Sequence, residues 1–222
     1  EICLLQPEYR LKQIMNCWEN LVMKWSLEKS ISWFRELARK FSEFTDYDGY
    51  EIAQVEIEKM HSQVRATGKK HSIEEKYLQE DYVKEIKKRK DFAILEGLEN
   101  GKKMTMKLLR PHRDEKIGLK RENSLPVHSG KWKWSEEEIQ DFLQEVGDTN
   151  SIHQGENAIV PGLLMIETML ASMMSHHIFW NQIKVRFYQP VFVDEPVVAE
   201  EEKYFIQIRG KDGRICWKMW FL

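Results

Sequence analysis

The stretch that decides the fold is SIHQGENAIVPGLLMIETM, which spans residues 151–169. Pro161-Gly162 opens an apolar run, and proline suits a first helical turn because its missing N–H has no intrahelical partner there. Apolar residues occur on nearly every side of the predicted helix, so we expect it to be buried. Glu167 is the one carboxylate of this run. It must be paired, exposed to solvent or functional, because an unpaired carboxylate inside a core costs several kcal/mol.

The segments on either side of this helix predict antiparallel strands. Before it, the stretch 92–109 contains Asn100-Gly101, a strong signal for a two-residue hairpin turn. After it come three strand-like runs, at 183–193, 196–210 and 214–222. A buried helix followed by antiparallel strands predicts an α+β fold in which the sheet wraps around the helix.

A second, shorter helix is predicted before residue 151. Ser135 and Glu138 have the spacing of a capping box. Apolar residues follow at the i, i+3, i+4 and i+7 positions from Ile139 to Val146, which indicates an amphipathic helix that ends near Gly147. The polar segment 111–130 is predicted to be a loop.

Residues 8–90 are predicted to be helical. Apolar side chains recur at helical spacing in 25–44. The charged segment that follows ends in the run 87–90, Lys-Lys-Arg-Lys, which suits a solvated helix end and could alternatively attract an acidic partner. The sequence therefore predicts a helical N-terminal extension of unknown role at 1–91 and a separate domain at 92–222.

Composition excludes several classes of protein. The formal net charge is −2, which gives no electrostatic argument for nucleic acid. The three cysteines are far apart and form no CxxC or Cys/His cluster, so we expect reduced thiols and no structural zinc. No apolar run approaches the ~20 residues of a membrane span, and the first five residues lack the basic region of a signal peptide. A cytoplasmic setting is expected.

Acid–base chemistry is indicated around His153. Histidine exchanges protons near neutral pH, and Asp148 lies five residues before it in a turn-rich segment. Asp148 either caps the turn through its side chain or acts together with the histidine. A thioester carbonyl at the helix N-terminus near Gly162 would be polarised by free N–H groups. These parts suit the addition or elimination of water at an acyl thioester.

Two motifs resemble known families of one fold. His153, Pro161-Gly162 and Glu167 have the spacing found in the β-hydroxyacyl-ACP dehydratases of the hot-dog fold. The segment GDTNSIH, residues 147–153, is similar to the Gly-Asp-x-Asn-Pro-hydrophobic-His signature of the MaoC-like (R)-specific enoyl-CoA hydratases. The resemblance extends over about 92–222, because the predicted hairpin and the strand that begins IKVRFYQPVFV also look like parts of that fold.

The resemblance implies roles for particular residues. His153 would be the acid/base residue, with Glu167 in the dehydratase role or, ranked after it, Asp148 in the hydratase role. The substrate would be bound by three further residues: Gly162, whose N–H would polarise the carbonyl, Pro161 and Asn150.

The chain departs from both signatures at three positions. Gln154 stands where the dehydratases have phenylalanine, and Gly155 comes one residue early. Ser151 stands where the hydratases have proline. By itself, His153 would also be consistent with a purely structural role.

The function implied is reversible hydration or dehydration between (3R)-hydroxyacyl and trans-2-enoyl thioesters, in fatty-acid or polyketide-type metabolism. No metal or other cofactor is expected, since the acyl group is carried on the phosphopantetheine of CoA or ACP. The resemblance further implies a homodimer, or a higher oligomer of dimers, with a shared active site and an acyl tunnel beside the buried helix. Two alternatives stay open: an acyl thioesterase, and a non-catalytic acyl-thioester-binding or assembly protein.

Overall fold

The structure is a computed structural model that describes residues 21–60, 80–110, 131–155, 157–175, 178, 180–202 and 205–222. Its helices are α1 (Leu21–Ser42), α2 (Glu136–Val146) and α3 (Gly162–Ser175). Its strands are β1 (Glu51–Lys59), β2 (Tyr82–Arg89), β3 (Phe92–Glu99), β4 (Lys102–Leu109), β5 (Lys131–Trp132), β6 (Gln182–Phe187), β7 (Val197–Glu201), β8 (Phe205–Gly210) and β9 (Ile215–Phe221).

All the strands belong to one antiparallel sheet. Their order across it is β2-β3-β4-β1-β6-β9-β8-β7-β5. The sheet packs on the helices through a single core to which α1 and α3 contribute fully buried side chains such as Phe34, Leu37, Ile166 and Leu170. The prediction of an α+β fold with a sheet around a buried helix is confirmed, and the sheet is larger than predicted.

The chain contains an internal repeat. Each half begins with a helix, α1 or α3, and continues with four strands, β1–β4 or β6–β9. Read outward from the centre of the sheet, both halves place their first, fourth, third and second strands in that order. The two first strands meet antiparallel at the centre, where Val55 pairs with Val185 and Ile57 with Ile183. The halves are therefore related by an approximate two-fold axis.

Local sequence signals predicted several elements correctly. Asn100 and Gly101 turn between β3 and β4 with positive φ angles of 48° and 68°, as such a hairpin requires. Ser135 and Glu138 form the predicted capping box at the start of α2, and Gly147 ends it in the left-handed conformation with φ 70°. The predicted start of α3 at Gly162 is also confirmed.

The prediction that residues 8–90 are helical is right for α1 and wrong for two strands. The segment 51–59 is β1, which lies between β4 and β6 and buries Val55 and Ile57 at the two-residue period of a strand. The segment 82–89 is the edge strand β2, whose last six residues are exposed, so its charged sequence carries no apolar pattern. The run 196–210 is likewise two strands and not one.

The predicted boundary at 91/92 does not separate a helical extension from a sheet domain. It falls in the turn between β2 and β3, which are neighbours in the sheet, and α1 packs against α3 and β3. The loop predicted at 111–130 lies outside the described residues. In the described part of the chain, no helix combines the length and the apolarity that a membrane span requires.

Candidate active site

A cavity of about 970 Å³ lies where the two halves of the chain meet. The N-terminal half supplies the end of α1, the segment that leads into β1, and parts of β3 and β4. The C-terminal half supplies the loop 148–153, the start of α3 and residues 187–190 after β6. Walls from both halves therefore enclose one space within a single chain.

His153 lines this cavity and is only 7% exposed. It ends a short 3-10 turn, Ser151–His153. Its Nδ1 lies 2.7 Å from the carbonyl oxygen of Ile159, which can only accept a hydrogen bond, so Nδ1 carries the proton and Nε2 has the free lone pair. Burial lowers the pKa of His153, while Asp148 and the Ile159 carbonyl raise it. The ring is therefore neutral at pH 7, as a proton acceptor must be.

Asp148 faces the free nitrogen of His153. Its Oδ2 lies 3.8 Å from His153 Nε2, and its Oδ1 accepts a hydrogen bond of 2.9 Å from the backbone N–H of Asn150. The gap between carboxylate and ring is longer than a hydrogen bond and suits a water or hydroxyl that contacts both groups. The two residues of the GDTNSIH segment are thus brought together.

Asn150 connects this loop to the N-terminal half. Its Nδ2 donates to the carbonyl oxygen of Tyr50 at 2.9 Å, and its Oδ1 accepts from the N–H of Gly49 at 2.9 Å. Next to it, the N–H of Ser151 donates to Asp48 Oδ1 at 2.8 Å. Asn150 lines the cavity, and these backbone groups engage its amide, so the residue holds the loop in place. That it binds substrate stays a prediction.

Gly162 lies on the cavity wall at the N-terminus of α3. A Cβ at this position would lie 3.1 Å from Phe187 Cζ and 3.4 Å from Ile52 Cδ1, so glycine leaves the helix end accessible. The N–H groups of the first turn of a helix have no intrahelical acceptor and form a positive end. A carbonyl oxygen that entered here would be polarised.

Pro161 is not among the residues that line this cavity, and its role in substrate binding stays a prediction. It is buried, and its carbonyl oxygen accepts the first helical hydrogen bond from Met165 at 3.1 Å. Its role is to start the helix.

Glu167 does not share the site with His153. It is 3% exposed and forms an ion pair with Arg35 Nε of α1, and Arg35 Nη1 also contacts Glu145 Oε2 at 2.6 Å. It is absent from the cavity walls that the structure describes. The reason is geometric: five residues beyond Gly162 correspond to roughly 500° of helical rotation, which turns the side chain roughly 140° away from the cavity. The structure thus brings Asp148, and not Glu167, next to His153.

The sequence also missed the contribution of the N-terminal half. Much of the cavity wall comes from residues before 92, a segment predicted to be a helical extension without an assigned role. The apolar members of this wall are Ala38, Phe41, Phe44, Tyr47, Tyr50, Ile52 and Ala53. Only the mixture of aromatic and apolar residues near the end of α1 signalled that this segment has a surface to bury.

Within the described ranges, no group of three His, Cys, Asp or Glu side chains is placed to hold a metal ion. His176-His177, which follow α3 in the sequence, lie outside those ranges. The expectation of a reaction without metal or cofactor stays a prediction.

Two helix-and-strand units that share one antiparallel sheet, with a site between them, define a hot-dog protein. The chain matches no known protein-family model and no curated protein in sequence. Among solved structures it is similar to HtdX from Mycobacterium tuberculosis, with a TM-score of 0.55, 12% identity, and coverage of 85% of this chain and 86% of that one.

Two further solved structures cover most of this chain. The peroxisomal multifunctional enzyme type 2 from Drosophila melanogaster has a TM-score of 0.49, 13% identity, and coverage of 85% of this chain and 40% of its own. An acyl-ACP thioesterase from Bacteroides thetaiotaomicron has a TM-score of 0.43, 9% identity, and coverage of 91% and 89%. At such identities the likeness concerns the fold, and the choice of reaction depends on the site.

Proposed function

We propose that this protein catalyses the reversible addition of water to a trans-2-enoyl thioester, giving a (3R)-hydroxyacyl thioester. One observation carries the proposal: His153 Nε2, with its lone pair free, faces Asp148 Oδ2 across 3.8 Å inside the cavity. A histidine and a carboxylate close enough for one water or hydroxyl to contact both are the groups that this reaction requires.

In the dehydration direction, His153 Nε2 accepts the proton from Cα of the hydroxyacyl group. The electron pair of the broken C–H bond moves toward the thioester carbonyl, whose oxygen is stabilised by N–H groups at the start of α3. The carbon–oxygen bond at C3 then breaks, and the imidazolium returns its proton to the departing hydroxide, which leaves as water. The sum is one enoyl thioester and one water, with His153 again neutral.

Asp148 serves this reaction in two ways. Its carboxylate stabilises the imidazolium that forms when His153 accepts a proton, in keeping with its upward effect on the pKa of His153. Its oxygen also orients the 3-hydroxyl group in one direction and the attacking water in the other. Because its second oxygen is held by the Asn150 N–H, the carboxylate has a defined orientation.

The N-terminal half provides the place for the acyl chain. Part of the cavity wall is apolar and includes Phe41 of α1, Leu95 of β3 and Met106 of β4. Burial of an acyl chain against such side chains contributes about 0.8 kcal/mol for each methylene. The thioester carrier, CoA or ACP, would remain outside. A cytoplasmic setting, a fatty-acid or polyketide-type pathway and a homodimer stay predictions.

Spectrophotometric assays of crotonyl-CoA and a longer trans-2-enoyl-CoA test this proposal. Hydration is expected, and His153→Ala and Asp148→Asn are each expected to lower kcat by about a hundredfold or more. Glu167→Gln is the matched control, because it removes the carboxylate of the dehydratase motif, which lies outside the cavity. This variant should retain most of the rate.

The same proteins distinguish the remaining alternatives. Release of free CoA from saturated acyl-CoA without hydration of the enoyl substrate would indicate a thioesterase, in which the Asp148 carboxylate activates water for hydrolysis. Binding of acyl-CoA without any turnover, unaffected by His153→Ala, would indicate a non-catalytic binding protein. Either result would overturn the proposal.

A further inference from the structure

The loop that carries His153 is fastened by a segment of the other half of the chain. Residues 48–50, which lead into β1, make three hydrogen bonds to Asn150 and Ser151, with lengths between 2.8 and 2.9 Å. Two of them involve the side chain of Asn150, a residue of the GDTNSIH segment. The third joins the Asp48 carboxylate to the Ser151 N–H, and it depends on a side chain of the N-terminal half.

This third hydrogen bond exists because of a departure from the hydratase signature. That signature has proline at the position of Ser151, and a proline has no backbone N–H to donate. Here Ser151 supplies an N–H, and Asp48 Oδ1 accepts it at 2.8 Å. The same hydrogen bond is the largest of the causes that lower the pKa of Asp48, so the carboxylate is ionised at neutral pH.

We infer that Asp48 is a positioning residue, which sets the place of His153 by holding the Ser151 N–H. Ser151 opens the 3-10 turn that His153 closes, so the two residues belong to one turn. A movement of Ser151 changes the distance between His153 Nε2 and Asp148. The rigidity that proline would give to the backbone is replaced by a hydrogen bond from the N-terminal half.

The consequence for catalysis is a matter of geometry. A displacement of about 1 Å in a catalytic group can lower a rate by up to about a hundredfold. Asp48→Ala is expected to lower kcat for enoyl-CoA hydration about tenfold and to change KM by less than about twofold, since binding of the acyl chain does not depend on this contact. Asp48→Asn keeps a side-chain oxygen that can accept the N–H, so it should restore most of the rate.

Substitutions at Ser151 separate this effect from a general loss of the fold. Ser151→Pro removes the N–H. The backbone is compatible with proline at this position, because Asn150 has φ −62° and ψ 121°, in the extended region that is favoured before proline. The first position of a helical turn also accepts proline. Ser151→Ala keeps the N–H and removes the hydroxyl, which also contacts Asp48, so it separates the backbone contact from that of the hydroxyl.

A double-mutant cycle then tests the coupling. Asp48→Ala should lower kcat about tenfold in the native and S151A backgrounds and less than about twofold in the S151P background, since the contact is already absent there. An equal loss in all three backgrounds would show that Asp48 acts by another route, and the inference would be wrong. An unchanged kcat in Asp48→Ala would also overturn it.

The inference rests on the proposed function for its rate assay, so a second readout is independent of turnover. Nitrogen-15 NMR of the His153 ring, assigned with His153→Ala, reports the hydrogen bond from Nδ1 and the environment of Nε2. Asp48→Ala should shift these resonances, and Asp48→Asn should restore them. Shifts without turnover in any variant would leave the positioning role standing and refute the hydratase proposal. Turnover together with unperturbed His153 resonances in Asp48→Ala would refute the positioning role and leave the hydratase proposal standing.

Discussion

At the scale of single residues, the state of His153 is set by opposing effects. Burial lowers its pKa below the ordinary value of 6.5, and the Asp148 carboxylate and the Ile159 carbonyl raise it. A depressed pKa keeps the imidazole neutral as the pH falls, so it can still accept a proton in mildly acidic solution. The pair is therefore suited to proton abstraction near neutral pH.

This balance predicts the pH dependence of the rate. Protonation of His153 should inactivate the free enzyme, so kcat/KM falls with decreasing pH through a pKa below 6.5. In Asp148→Asn the carboxylate that raises this pKa is gone, and the residual activity should fall at a still lower pH. The measurement is a pH profile of kcat/KM. Glu167→Gln should leave the position of the acid limb unchanged, and a shift toward higher pH in Asp148→Asn would contradict the assignment.

At the scale of elements, an ion-pair cluster joins the three helices. Arg35 of α1 contacts Glu167 of α3 and Glu145 of α2. Glu167 is buried, whereas the Glu145 side chain is about half exposed. Burial costs a carboxylate its hydration, so its positive partner matters far more than the partner of an exposed one.

Removal of Arg35 should therefore weaken the fold. Arg35→Ala leaves the buried Glu167 without this cation, and we expect a loss of about 3 kcal/mol in the free energy of unfolding. Glu145→Gln is the control, since it removes the exposed partner and should change stability by less than about 1 kcal/mol. Urea denaturation followed by circular dichroism measures both. Equal effects of the two substitutions would contradict the view that burial of Glu167 makes this pair important.

At the scale of the whole molecule, the two halves depend on one another for their sheet. β1 lies between β4 and β6, and α1 packs on α3. A fragment of residues 92–222 would leave one edge of β6 and one side of α3 exposed. We expect this fragment to lack a cooperative unfolding transition, in contrast to the whole chain, when both are followed by circular dichroism and NMR. Cooperative unfolding of this fragment would contradict the prediction and support a separate domain that begins at residue 92.

How far the sequence predicted this molecule depends on the range of each interaction. The hairpin at Asn100-Gly101 and the cap at Ser135 come from residues close together in the chain, and local chemistry predicted them. Asp148 and His153 are also close in sequence, but Glu167 was ranked above Asp148 as the partner of the histidine. β2 is an edge strand exposed over most of its length, so it has no periodic apolar pattern to detect. Arg35 and Glu167 lie 132 positions apart, so no local spacing in the sequence can indicate that they pair.

The internal repeat has a consequence for how such a protein can change. In an assembly of identical chains, each substitution appears in every subunit, so both copies of a site alter together. Here the equivalent positions lie in separate stretches of a single chain, and each can acquire its own residues. The C-terminal half carries His153 and Asp148, whereas the N-terminal half supplies Asp48 and an apolar part of the cavity wall. The two halves can therefore change independently of each other, although both line one cavity.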